Sequence, residues 1–547
     1  MFRFSLLLTL ICSLSASAAN KRPNILFIVS EDNGPELGCY GDPNALAHDL
    51  SPTLDQLARD GVMFQNAFVP YSVCSPSRAC FYTGTHVAQN GHEGLATHKF
   101  AMHEAYPTFY KLLQEAGYRT GLIGKLHINP GSAVSSHVDF RAISGANFGQ
   151  SGRNMRNYAT QAKKFIIGDY DEADVDNPFL LTINYPDAHL PMHHLAPTGD
   201  TGDADTLPKN PVSGDDVTTI PWVGTTSDRL RDQTAGYYNC LRRLDDGIAM
   251  VLADLDATGL RDDTLVIYIG DHGAQFSRGK TSVYEAGLRV PMIVRWPGAT
   301  ADLPGEFNPR TELTSTTDIM PTMLKAAGVA VPTLCSGRAL QPLLEGKRLP
   351  WRQYIFAHAT GSAPSLNYIQ LSARDRRFKL ISSPFKDASM SDVLKGLPNR
   401  CAVAYLGGKS HFSAGTSQPE IDSAATPQHV KDAYARYLNP PRYELYDLDA
   451  DPYEWNNLVE DPAMAKTKQR LIAALAAWQA DPIIADPWIA LENVERFGTM
   501  QEDAIGTNYR GARSFVWDYL KPSTDWNFLR WKRERHPVSV PPAQREQ

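Results

Sequence analysis

The sequence predicts an α/β fold, a mostly parallel central sheet with helices on both faces, followed by a smaller C-terminal antiparallel-sheet domain. Three observations carry this. Four short apolar runs, each ending abruptly in polar residues, are continuous and β-rich, as strands buried on both faces of a sheet are. Helical patterns lie between them, and strands alternating with helices make parallel sheets. After about residue 345 the pattern gives way to short alternating strands, and 547 residues exceed what one compact core holds.

The first stretch, MFRFSLLLTLICSLSASAAN, has one Arg, an apolar run from Leu6 to Leu14 and then Ala16-Ser17-Ala18. That is the three-part pattern of a cleaved secretory signal, here residues 1–18. A membrane anchor needs about 20 apolar residues, and Ile11 before Cys12 argues against lipoprotein processing. The expectation is export, to a periplasm or the outside. No later segment is long and apolar enough to span a membrane.

A catalytic domain is expected over residues 20–345. Its strands are NILFIVSED (24–32), RTGLIGKLH (119–127), PFLLTINYPDAH (178–189) and TLVIYIGDHG (264–273). Its helices are SPTLDQLARDG (51–61), YPTFYKLLQEAGY (106–118) and AGYYNCLRRLDDGIAMVLADLDATG (235–259). Polar stretches at 128–175 and 195–228 are long enough to line a site. In residues 346–490, WRQYIFAHAT, NYIQLSA, RRFKLISS and PRYELYDLDADPYEWNNL read as the strands of the smaller domain, and AMAKTKQRLIAALAAWQAD as the helix that closes it. Residues 491–547, rich in Trp and charge, read as an extension packed over the surface.

With 43% hydrophobic and 21% charged residues the composition is ordinary globular. A formal charge of −7 argues against nucleic-acid binding by bulk electrostatics, so an anionic ligand would have to meet a local cluster of bases. The seven cysteines, at 12, 39, 74, 80, 240, 335 and 401, show neither CxxC nor framework spacing. One or two disulfides are open to them in an oxidising compartment, with no pairing legible. If Cys12 leaves with the signal and Cys74 is committed to chemistry, an odd number remains and at least one stays free.

In parallel sheets ligands bind beyond the carboxyl ends of the strands. Here those ends carry Glu31 and Asp32, Lys125 and His127, His189, and Asp271 and His272. One adjacent acid pair at a strand end is ordinarily a solvated loop, but the Glu31-Asp32 and Asp271-His272 pairs at two ends of one sheet converge on a cation. Three carboxylates and one imidazole favour Ca²⁺, with Mg²⁺ as the alternative, over Zn²⁺. Asp42, in the turn-like CYGDP, ranks lower as a ligand. Arg78, Lys125, His127, His189 and Lys280, taken singly, read as surface cations or hydrogen-bonded core histidines. Together they offer donors for a tetrahedral oxyanion beside a cation. Pro76 in SPSRACFYTG marks the first turn of a helix. Cys74 would then sit at that helix's N-terminus, where the dipole favours negative charge. Cys80 faces the helix interior as packing.

These residues carry a resemblance. Cys74-Ser75-Pro76-Ser77-Arg78, continuing through Ala79 to Thr83-Gly84, resembles the Cys-x-Pro-Ser-Arg signature of type I sulfatases, whose cysteine is oxidised after translation to formylglycine. NILFIVSEDN, GKLH, PDAHLP, GDHG, GKTSVYEAGLRVPMIVRWPG and YELYDLDADPYEWNNL match in order, over roughly residues 22–300 and 440–460. CSPSRA followed by QNGHEGLATH is similar to the heparan N-sulfatase (N-sulfoglucosamine sulfohydrolase) branch and its bacterial relatives. The resemblance implies an alkaline-phosphatase-like fold with a smaller C-terminal sheet domain. It implies Glu31, Asp32, Asp271 and His272 as Ca²⁺ ligands, with the modified Cys74 as a further one. Arg78 and Lys125 would hold the formylglycine hydrate, Lys280, His189 and Lys125 the sulfate, and His127 would sit by the nucleophile. Glu31 stands where most members have Asp, and His272 where many have Asn; both keep ligand capacity. A formylglycine-generating maturation enzyme is an implied partner.

In the implied chemistry one hydroxyl of the hydrated aldehyde attacks sulfur, while cation and lysines neutralise the developing charge. His189 protonates the leaving alcohol or amine, and His127 deprotonates the second hydroxyl as sulfate is expelled. Serine or thiol lacks that second hydroxyl. The expected function is hydrolysis of sulfate esters of a sulfated oligosaccharide or polysaccharide, with an N-sulfate on glucosamine as an alternative. A phosphonate or phosphodiester hydrolase and an inactive glycan-binding relative are the other readings. Every catalytic position carries a usable residue, which argues against the last.

Overall fold

The computed structural model describes residues 22–144, 153–170, 175–190, 208, 210–300, 307, 309–366, 368–407, 414–484 and 515–521. The signal over 1–18, residues 195–207 of the second polar stretch and most of the 491–547 extension lie outside the described residues.

The first part of the chain supplies β1 (Asn24–Ser30), β2 (Val62–Phe64), β3 (Ala67–Phe68), β4 (Arg119–Gly124), β5 (Phe140–Ala142), β6 (Phe179–Asn184), β7 (Thr264–Gly270), β8 (Met292–Arg295), β9 (Pro309–Arg310) and β10 (Thr314–Ser315). Eight of these form one sheet in the order β5-β4-β6-β1-β7-β8-β2-β9, and β10 pairs with β3. β1 runs parallel to both β6 and β7, and β4 parallel to β6; β8 is antiparallel to β7. Every residue of β1, β6 and β7 is buried, which is why these runs are apolar without alternation. Successive side chains of β1 feed opposite layers. Leu26 and Ile28 pack with the helices Met155–Ile166 and Asp228–Ala257. Ile25, Phe27 and Val29 pack with the helices Cys74–Thr83, Phe109–Glu115 and Ile319–Ala326.

The second sheet joins β11 (Ile355–Ala359), β12 (Gln370–Arg374), β13 (Phe378–Ser382) and β14 (Tyr443–Asp447) in antiparallel order. Leu371, Leu380 and Leu445 face the helix Ala465–Gln479 through Leu471 and Leu475. Ala357, Ile381 and Tyr446 face the first part of the chain through Phe68, Val69 and Leu288. Of the extension, the described Trp517 is buried, stacks on Phe100 with ring centroids 5.1 Å apart and donates its indole N–H to the His98 carbonyl.

The strands end sooner than the apolar runs suggest, at Ser30, Gly124, Asn184 and Gly270. Asp32 and His127 take φ of 51° and 53°, left-handed values that no strand accommodates, so the polar tails of these two runs leave strand geometry. The long helix begins at Asp228, where the Ser227 hydroxyl accepts the Leu230 N–H. Cys39, Cys74, Cys80, Cys335 and Cys401 form no disulfide among the described residues.

Candidate active site

Backbone hydrogen bonds continue past the strand ends and tie the loops together. Glu31 N–H donates to the Asp187 carbonyl at 2.9 Å, Asp271 N–H to Ser30 at 2.9 Å and Lys125 N–H to Asn184 at 3.3 Å. The residues after β1, β4, β6 and β7 therefore emerge side by side, as the strand order requires. Opposite them stands the Cys74–Thr83 helix, its first turn holding Cys74, and Gly84 closing it at φ 65°. A Cβ on Gly84 would lie 2.6 Å from Cys335 Sγ, so the site of chain reversal needs glycine twice over.

Arg78, four residues after Cys74 and on the same helix face, is fully buried. Its Nη2 donates to Glu31 Oε2 at 2.6 Å, its Nη1 to Asn184 Oδ1 at 2.8 Å and its Nε to Asp271 Oδ2 at 3.2 Å. One guanidinium thus spans three strand ends. Lys125 Nζ takes the other Glu31 oxygen, and Lys280 Nζ lies 2.8 Å and 2.9 Å from the two oxygens of Asp32. The three carboxylates Glu31, Asp32 and Asp271 are without solvent exposure, matched by the cations Arg78, Lys125 and Lys280.

Ligand atoms of Glu31, Asp32, Cys74 and His272 all lie within 4.8 Å of one another. His272 Nδ1 faces the Gly273 carbonyl at 2.9 Å, which assigns the proton there and directs Nε2 inward, 3.3 Å from Cys74 Sγ and 3.1 Å from Asp32 Oδ1. Two carboxylates, one imidazole and one thiol make up this donor set, and its carboxylate oxygens suit a hard divalent cation. Asp271 lies at the edge of the group: its Oδ1 accepts the Asp32 N–H at 3.0 Å while Oδ2 meets Arg78. Asp42 lies apart, capping the helix Pro43–His48 and accepting the Tyr238 hydroxyl.

Electrostatics follow from burial among charges. Burial raises the Asp32 carboxyl, and Lys280 and His272 offset only part of that. Burial works against a charged His272, yet Asp271 and Asp32 pull it up to about 9. The Cys74 thiol comes out below its ordinary value: burial and Glu31 oppose ionisation, and Lys125, Lys280 and His272 outweigh them. Burial, then the nearby lysines, hold His127 and His189 well below the usual imidazole range. Both ring nitrogens of His127 lack a hydrogen-bond partner among the described residues. His189 sits with Nε2 4.0 Å from Asp32 Oδ2 and Nδ1 2.7 Å from the Leu190 carbonyl.

The sequence-predicted residues Glu31, Asp32, Cys74, Arg78, Lys125, His127, His189, Asp271, His272 and Lys280 therefore converge. Sequence reasoning missed their supports. Asp187 is gripped by Arg243 through two bonds of 2.7 Å, and Arg153 donates to the His189 carbonyl, fixing the loop after β6. Ser77 Oγ binds the Asp271 carbonyl. The Asp of PDAH and the second Ser of CSPSR were visible as letters, but their partners come from distant segments. Cys80, by contrast, packs in apolar surroundings as expected.

A family model described as Sulfatase matches residues 23–329, and one described as N-sulphoglucosamine sulphohydrolase, C-terminal, matches residues 270–394. The chain is 29% identical over 496 residues to the N-sulphoglucosamine sulphohydrolase of Homo sapiens, covering 85% of this chain and 91% of the relative. It is 28% identical over 475 residues to an ulvan-active sulfatase of Formosa agariphila, covering 85% and 81%. The solved structure of BT4656 in complex with its substrate D-glucosamine-2-N,6-O-disulfate superposes with a TM-score of 0.60 at 19% identity, covering 85% of this chain and 99% of that one. A phosphonate monoester hydrolase from Silicibacter pomeroyi superposes with a TM-score of 0.56 at 20% identity, covering 84% and 95%. At such identities the superpositions speak for the fold.

Proposed function

The chain belongs to the sulfatase family, and from that premise we propose that it is an exported, formylglycine-dependent sulfatase of sulfated carbohydrates of the glycosaminoglycan type. It has the alkaline-phosphatase-like sulfatase fold, with the separate four-stranded antiparallel sheet. The observation that carries the proposal is the pocket around Cys74: a helix N-terminal turn facing buried carboxylates and a ring of cations, all in reach of one tetrahedral group.

In this reading Glu31, Asp32, Asp271 and His272 hold a divalent cation, Ca²⁺ or Mg²⁺, and Cys74 is oxidised to formylglycine by a maturation enzyme. The cation supplies Lewis acidity and the aldehyde hydrate a nucleophilic hydroxyl that can be regenerated. The chain's own residues do the rest. Arg78 stays clamped to Glu31 and Asp271 and fixes the first helical turn against the strand ends. Lys125 and Lys280, which in the free pocket neutralise Glu31 and Asp32, turn to the sulfuryl oxygens once a cation takes up those carboxylates, and offset charge in the transition state. His189 has Nδ1 committed to Leu190; a bound sulfuryl anion favours the doubly protonated ring, whose Nε2–H then binds sulfate and hands its proton to the leaving group. His127, neutral and unpartnered, takes the proton whose removal releases sulfate.

An N-sulfated glucosamine is the second reading. It is favoured by the match of residues 270–394 to the N-sulphoglucosamine sulphohydrolase C-terminal model and by the human relative of that name. Side-by-side assays of O-sulfated and N-sulfated glucosamine, p-nitrophenyl sulfate and p-nitrophenyl phosphonate and phosphate esters test both. Turnover of phosphorus esters far above sulfates would overturn the sulfatase reading in favour of the phosphonate or phosphodiester hydrolase.

A further inference from the structure

We propose that Tyr405, carried by the C-terminal part of the chain, is a substrate-binding residue that donates its phenolic hydroxyl to the sulfuryl group held beside Lys280. This deepens the sulfatase reading and rests on it.

The segment that carries Tyr405 is pinned to the loop that carries Lys280. Ser277 Oγ donates to the Tyr405 carbonyl at 2.9 Å and lies 3.4 Å from the Thr416 carbonyl. Gly407 N–H donates to Thr416 at 2.6 Å. The contact leaves no room for side chains: a Cβ on Gly407 would stand 1.9 Å from the Gly415 carbonyl, and one on Gly415, whose φ is 104°, would stand 2.4 Å from Ser277 N. The long helix holds the same segment from behind, with Arg229 donating to the Gly415 carbonyl at 2.8 Å and Gly415 N–H donating to Gln233 at 3.1 Å. Ser277 is three residues before Lys280, whose ammonium grips Asp32.

Tyr405 itself is half-buried. Among the described residues its hydroxyl has no hydrogen-bond partner, although buried or half-buried phenols ordinarily find one. Burial keeps the phenol protonated, and Lys280 is the first charge that acts on it, then Asp32, with Cys401 and Cys74 behind them. Tyr405 acts on Lys280 in return. A phenol in this position is a neutral donor beside a cationic one. A sulfuryl oxygen is an acceptor only, so the pair can bind it together without adding charge to an already crowded site.

The test compares Y405F with wild type as matured, full-length protein. Phe keeps the ring and removes only the unpartnered hydroxyl, so the unfolding midpoint is expected to stay within about 2 °C. Calorimetric affinity for inorganic sulfate and kcat/KM for p-nitrophenyl sulfate are both expected to fall about tenfold, the effect of one hydrogen bond to a charged group. Sulfate affinity and kcat/KM both within twofold of wild type would overturn the assignment. If wild type binds sulfate but hydrolyses no sulfate ester, the sulfatase reading fails by itself, and weaker sulfate binding by Y405F still supports Tyr405 as an anion contact.

Discussion

Arg78 and Glu31, one from a helix's first turns and one from the end of the central strand, meet at 2.6 Å with neither side chain exposed to solvent. The same guanidinium reaches Asp271, so removing it leaves two buried carboxylates facing each other. R78M is expected to lose about 3–5 kcal/mol of stability, the cost of breaking a buried pair by deleting one partner. R78K should recover only part, because an ammonium cannot fork between Glu31, Asn184 and Asp271. Denaturant unfolding measures both, and an R78M protein as stable as wild type would contradict the role given to Arg78.

Three buried carboxylates share the pocket with Arg78, which stays on them, and with Lys125 and Lys280, which the chemistry needs elsewhere. Chelation is therefore expected to lower the unfolding midpoint as well as abolish turnover, and Ca²⁺ at 100 times its dissociation constant should restore about 2.7 kcal/mol. Thermal unfolding with and without chelator reads this independently of activity. An unfolding midpoint insensitive to divalent cations would remove Glu31, Asp32 and His272 as ligands.

Position 74 separates attack from release. C74S keeps one hydroxyl and lacks the second, so it is expected to capture one sulfuryl group covalently from p-nitrophenyl sulfate and stop, while C74A captures none. Intact-mass measurement after incubation decides, and repeated turnover by C74S would show that the second hydroxyl is dispensable.

Glu285, on the short helix Glu285–Leu288 between β7 and β8, reaches the second sheet, meeting Arg374 of β12 at 3.2 Å and Lys379 of β13 at 3.1 Å. Burial pushes its carboxyl up, but Arg374 and Lys379 win and hold it at about 2, against an ordinary 4.5. A lowered folded-state pKa contributes stability that is complete above the unfolded value and lost as pH falls through the folded one. Wild type should therefore lose stability between about pH 4.5 and pH 2 more steeply than E285Q, as followed by the unfolding midpoint against pH. Parallel profiles would mean that Glu285 is not held ionised.

Much of this was legible in the sequence, for identifiable reasons. β1 and β7 are buried on both faces, so their runs are continuously apolar, and the polar residues that end them are the site. Pro76 announced the helix that presents Cys74. The strand limits were not legible, because a left-handed φ at Asp32 or His127 leaves no mark in composition. Asp42, ranked below the other ligand candidates, stayed a competitor because a helix cap and a metal ligand use the same carboxylate. Tyr405 was invisible, since only the packing of Gly407 on Gly415, of Gly415 on Ser277 and the Ser277 bond to the Tyr405 carbonyl bring its backbone to the loop that carries Lys280. The grip of Arg243 on Asp187 was hidden likewise, joining a helix to a loop that the sequence does not pair.

The central claim is that Cys74 does not remain a thiol. Mass spectrometry of the peptide bearing Cys74, from protein made in a host with the maturation machinery, tests it most directly. Formylglycine predicts a loss of about 18 Da relative to the cysteine peptide, the stoichiometry of thiol-to-aldehyde conversion that covalent catalysis here requires. An unmodified thiol in protein that turns over sulfate esters would contradict the account.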